Sequence, residues 1–215
     1  VSAGTEPIVE RKASATRVLG TFLTLILFLG ALVWLGQGLL VRPVDGAAKQ
    51  RELFGDAAPP FDLALDSAVR LPTGDTLVRF KRPEGEGAGP SEVLFLEYAS
   101  HAAVEPLFRP SMMEGMGMGP DGGVGARMKE WEKEKAFDWH CTMKRGEIAW
   151  GNWSSKLLIE RSFKKGGGWN EEARVDLSSP KRALVLFSHW PAEKPVDEKA
   201  LRELLLAVVL TPDES

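Results

Sequence analysis

The longest unbroken run of apolar positions lies between Arg17 and Arg42, where VLGTFLTLILFLGALVWLGQGLLV holds 24 residues without a charge. As a helix it is about 36 Å long at ~1.5 Å per residue, against a hydrocarbon core of about 30 Å. Fifteen of these residues are Leu, Ile, Phe or Val, and each favours insertion by roughly 0.3–0.6 kcal/mol at the bilayer centre. The pattern predicts a transmembrane helix over 18–41. A cleaved signal peptide has a shorter apolar region, about 7–15 residues. An uncleaved signal-anchor is therefore expected, although Gly46-Ala47-Ala48 offers small residues at which cleavage could occur. The flanking cations are level, with Arg11, Lys12 and Arg17 before the run and Arg42, Lys49 and Arg51 after it. The short tail 1–17 is the easier end to leave in the cytoplasm, which carries the remaining chain outward. The expected placement is a single-pass protein of the cell membrane with an extracytoplasmic, periplasmic domain.

Beyond this run the pattern changes to short alternating segments. Residues 42–60 mix small, charged and proline residues and read as a linker with one helical turn, closed by Pro59-Pro60. A domain over 61–215 follows. Residues 66–71 and 76–81 flank the turn Pro72-Thr73-Gly74-Asp75 and predict a hairpin. Val93 to Tyr98 reads as a strand covered on both faces, and His101 to Phe108 as a short helix. Residues 110–125 (PSMMEGMGMGPDGGVG) are too rich in glycine for a regular element and are expected to form a mobile loop. Val124, Met128 and Trp131 fall on one helical stripe. The last third reads as a meander of strands over 138–150, 156–163, 171–177 and 182–189. Ala173 to Leu177 alternates as a half-exposed strand does, and Ala183 to Phe187 is apolar on both parities, as in a central strand. A final helix is expected to start at an Asp197 cap, with Leu201, Leu204, Leu205 and Val208 facing the core.

The order hairpin, strand, helix, meander, helix predicts an α+β domain in which an antiparallel sheet packs with helices behind an N-terminal transmembrane helix. In element order alone, over about 150 residues and without a shared motif, it loosely resembles the PsbP/Mog1-like domains. That resemblance implies a non-catalytic accessory or binding module.

Composition narrows the chemistry. A net charge of -3 removes the broad basic field that nucleic-acid binding needs. Cys141 is the only cysteine, so no disulfide can form within the chain. Met112, Met113, Met116 and Met118 sit within seven residues. Thioethers are soft ligands suited to Cu(I), and these four are the candidate metal ligands; the bland alternative is a loop of adaptable apolar side chains. His140 and Cys141 are adjacent, but on a strand they point to opposite faces and cannot meet at one atom. His189 is the other group that could approach them. Gly117 to Gly122 matches a dinucleotide loop by letters only, with no strand before it and Pro120 within it. Six of the seven tryptophans lie between Trp131 and Trp190, and core filling is their commoner role. Trp153 and Trp169, placed in turns, are the ones expected at the surface.

No motif specifies a catalytic constellation, and three functional readings are carried forward. The first is a membrane-anchored, non-catalytic extracytoplasmic module that contacts the bilayer through 18–41 and binds an unidentified protein partner. The second is Cu(I) handling by the methionine loop, and the third is an enzyme using Cys141 or a histidine.

Overall fold

The computed structural model describes residues 41–83, 87, 89–109, 139–163 and 168–209. In chain order these form β1 (Arg42–Pro43), α1 (Gly46–Phe54), β2 (Ala64–Arg70), β3 (Thr76–Lys81), β4 (Glu92–Tyr98), two 3-10 turns (His101–Ala103 and Glu105–Phe108), β5 (Trp139–Trp150), β6 (Trp153–Phe163), β7 (Trp169–Asp176), β8 (Ala183–His189) and α2 (Glu198–Ala207). All eight strands join one sheet in the order β1-β2-β3-β4-β8-β7-β6-β5. Every neighbouring pair runs antiparallel.

Two expectations are corrected here. The domain is not a balanced α+β fold, because eight strands stand against described α-helices of only nine and ten residues. It is a mainly β structure built on a single sheet. The transmembrane helix also leaves the account of the fold. No helix among the described residues is long and apolar enough to cross a membrane, and the stretch 18–41 lies outside them except for Val41. The helix expected to begin at Val124 falls outside them as well.

Side-chain alternation gives the sheet two unlike faces. On the first, Val78 and Phe80 of β3, Val93 and Phe95 of β4, Leu184 and Leu186 of β8, Ala173 and Val175 of β7, and Leu157 and Ile159 of β6 line up through the strand register. All are buried and belong to one apolar cluster with the two helices. Asp45 starts α1 by accepting the Ala48 N–H at 3.1 Å, and α1 delivers Leu53 and Phe54 to the sheet. Phe54, Phe80 and Phe95 meet edge-to-face with ring centroids 5.2, 5.6 and 6.0 Å apart, the arrangement that aligns positive ring edges with negative faces. Asp197 caps α2 as expected, accepting the Lys199 and Ala200 N–H groups. The stripe Leu201, Leu204, Leu205 and Val208 is buried.

The second face is mixed. Val104, Leu107 and Phe108 of the 3-10 segment pack on Ala183, Val185, Phe187 and Tyr98. Beside them runs a row of alternating charges. Arg79 binds Glu92 at 2.6 Å, His189 lies 3.3 Å from Glu172, and Arg174 reaches both Glu172 and Glu160 at 2.7 Å.

Two ion clusters fasten the first face at its margins. Lys49 of α1 meets Glu52 and Glu97 at 2.8 and 3.0 Å, and Arg182 meets the same two carboxylates at 2.6 and 3.1 Å. Burial works to raise the Glu97 pKa. The Lys49 hydrogen bond and the Arg182 charge outweigh it and hold the carboxyl below its ordinary value. Burial likewise works to lower the Lys49 pKa, and hydrogen bonds to Glu52 and Glu97 outweigh it, leaving the ammonium above its ordinary value. At the other margin Arg161 gives Nε and Nη2 to Glu171 at 3.0 and 2.7 Å. Glu171 is only 4% exposed, and its second oxygen accepts the Val196 N–H at 2.6 Å, tying the approach to α2 to the sheet.

Candidate functional site

The residues singled out from the sequence do not converge. Met112, Met113, Met116 and Met118 lie outside the described residues, and nothing in the described fold bears on the Cu(I) reading. Cys141 and His140 are neighbours on β5, in register with Arg161 and Ser162, so their side chains leave opposite faces of the sheet. Cys141 is half-buried. Burial pushes its thiol up to about 11, against a smaller downward pull from Arg161, so it stays protonated and poorly nucleophilic near neutrality. It donates to the Met143 sulfur at 3.5 Å. His189 lies on β8, three strands from β5 in the sheet order, or roughly 14 Å at ~4.8 Å per strand. It also projects from the charged face, opposite Cys141. His101 binds the Ser179 carbonyl at 2.6 Å, a local tie between two loops. Among the described residues no group of three His, Cys, Asp or Glu side chains could hold a metal.

The tryptophans are more informative. Trp150 and Trp190 are buried at 5% exposure, and Trp150 donates its indole N–H to Ser155 at 3.2 Å. The Arg161 guanidinium stacks 3.8 Å above the Trp169 ring, so Trp169 is half-buried where the turn position predicted exposure. Trp153 is 50% exposed, as its place beside the turn predicts.

The local fold explains this exposure. Trp150 and Trp153 pair across a two-residue turn, Gly151-Asn152, with Gly151 at φ 54°. A glycine in the first central position is what a tight hairpin turn with the twist of its strands requires. The pair therefore projects to one face. Trp150 sinks under α2 while Trp153 stacks on its outer side, rings 6.2 Å apart and 24° from parallel. From α2 comes Leu206. Its neighbours Leu204 and Leu205 occupy the buried stripe, and at 100° per residue a third consecutive leucine turns away from it. Leu206 is 62% exposed, and its Cδ2 lies 3.6 Å from where a side chain on Gly151 would begin. Val209, just past α2, is also exposed and ties back by donating its N–H to the Leu53 carbonyl at 2.8 Å.

Trp153 and Leu206 thus flank the Gly151-Asn152 turn, carried by a rigid hairpin and a packed helix, while Val209 lies against Leu53 and Gly55 at the end of α1. The sequence marked Trp153; it did not single out Leu206, although its offset from the helical stripe was the available signal. No protein family, curated protein or solved structure matches the chain.

Proposed function

We propose that this domain is a non-catalytic protein-binding module that grips its partner where the β5–β6 turn meets α2. The observation carrying this reading is Trp153, half-exposed, stacked on the buried Trp150 and two residues from Gly151, which Leu206 approaches. Tryptophan is enriched among the few side chains that dominate binding energy at protein interfaces. Here its position is already fixed by packing, so little side-chain freedom is lost on contact.

Photo-crosslinking residues placed at 153 and 206 in living cells, with Thr73 at the exposed β2–β3 turn as control, test the reading. The expected result is one protein captured from both positions and not from 73, whose purified complex weakens by at least about tenfold with Trp153→Ser. Capture that is the same at all three positions, or a complex indifferent to Trp153→Ser, overturns it.

A further inference from the structure

The sheet ends in two very different edges. On one side β1 has only two residues, and Pro43 has no N–H to offer. A proline and a very short strand are ordinary protections against further pairing. On the other side β5 runs for twelve residues, and among the described residues no strand lies outside it.

The hairpin fixes which backbone groups of β5 face outward. Trp150 and Trp153 close a two-residue turn and so exchange both backbone hydrogen bonds. Alternation then turns the N–H and C=O groups of Ile148, Gly146 and Lys144 inward to β6, and those of Ala149, Glu147 and Arg145 outward. A second β5 strand meeting this edge antiparallel across a twofold axis must match outward groups with outward groups. Three central registers satisfy that parity, with the axis at Arg145, at Gly146 or at Glu147. The first opposes Arg145 to its own copy and the third opposes Glu147 to its own copy, like charges in both cases. The middle register opposes Arg145 to Glu147 twice, on the same face, with the two Gly146 residues meeting at the axis.

Gly146 itself fits this arrangement. Its φ is not positive, so the backbone does not require glycine. A side chain added there would find no described atom within 4 Å, so packing does not require it either. Glycine inside a strand costs stability and often marks the close approach of another backbone. Beyond the register shift between Thr142 and Lys144, this edge presents opposite charges, Arg145 and Glu147, placed symmetrically about the glycine.

We infer that a second copy of this chain pairs along β5 in the Gly146-centred register, joining the two sheets into one. Arg145 and Glu147 keep the contacts they already make, among them those to the Arg109 carbonyl at 3.2 Å and from the Ser154 hydroxyl at 2.8 Å. A guanidinium has five donors and a carboxylate two oxygens, so each can also meet its counterpart. This inference does not depend on the Trp153 surface.

Sedimentation of the full chain over a concentration series reaching the millimolar range is the test. The wild type is expected to form dimers. Arg145→Glu alone and Glu147→Arg alone each oppose like charges twice, and each raises the dimer dissociation constant roughly tenfold or more. An equimolar mixture of the two variants restores association, because every charge then meets its opposite. As a second readout, Gly146→Cys in a Cys141→Ser background is expected to form a disulfide across the axis. Residues opposed in this way have Cα atoms about 4.5 Å apart, within the ~4.4–6.8 Å that a disulfide spans. A wild type that stays monomeric throughout overturns the inference. So do single variants that associate like the wild type, a mixture that behaves as its components do, or a Gly146→Cys variant that does not cross-link.

Discussion

Between the sheet and its helices, Phe80, Val93, Val175 and Leu186 of the strands and Leu201 of α2 are buried to complete exclusion of water. On its other face, rows of the same strands carry Arg79, Glu92, His189, Glu172, Arg174 and Glu160 in half-exposed pairs. Both faces are ordered, yet they stabilise by different means. Apolar burial contributes about 25 cal/mol per Å² and is indifferent to the direction of neighbours. A half-exposed ion pair contributes little net energy but penalises the wrong neighbour. Stability therefore belongs mainly to the helix-covered face, and the charged face contributes mainly to strand register.

Five substitutions or conditions can break or sharpen this contrast. Phe95→Ala removes the ring that touches both Phe54 and Phe80, and should cost roughly 3–5 kcal/mol by urea denaturation. Glu171→Ala strands the Arg161 guanidinium, only 16% exposed, together with the Val196 N–H. A loss of about 3 kcal/mol is expected in the same assay, the low end for a broken buried pair.

Acid provides the third probe. The Glu97 carboxyl has a folded pKa below its ordinary value of 4.5. Its contribution is therefore whole above 4.5, and is lost as pH falls through the lower folded value. Lys49, raised above 10.5, contributes below 10.5 and loses that contribution in stronger base. Urea midpoints of wild type and Glu97→Gln should differ at neutral pH and converge in acid; a constant gap would show that Glu97 acts through packing alone.

On the charged face Glu172→Ala should cost less than about 1 kcal/mol, because its partners Arg174 and His189 stay hydrated when it is removed. A cost near that of Glu171→Ala would erase the distinction between the faces. Smallest of all, Trp153→Ser should shift stability by no more than about 0.5 kcal/mol, since half of the ring already faces water. The same change is expected to weaken the proposed complex at least about tenfold.

Much of the sheet is legible from local pattern. The alternation Ala173 to Leu177 forms β7, and the doubly apolar run Ala183 to Phe187 forms β8, whose first four residues are buried between paired strands. Asp197 does cap a helix. Local pattern fails at α1, because GAAKQRELF places its two core residues, Leu53 and Phe54, together at the end and shows no 3.6-residue stripe. It fails again for the Arg161–Glu171 pair, which depends on how β6 and β7 align across their turn. The overall class escapes it for a related reason. Periodicity identifies strands, but only pairing shows that all eight share one sheet and that helices are the minority. At the candidate site the turn chemistry around Gly151 brings Trp153 into view, whereas Leu206 matters only through its closeness to that turn.

The position of β8 between β4 and β7 has a bearing on how the molecule is made. The strands that emerge first from the ribosome, β1 to β4, and the later meander β5 to β7 share no ladder of their own. Both must wait, each with an unsatisfied margin, until residues 183–189 have been synthesised and slide in between. Such late, long-range closure makes for slow assembly and leaves the nascent chain in need of shielding until its last strand arrives.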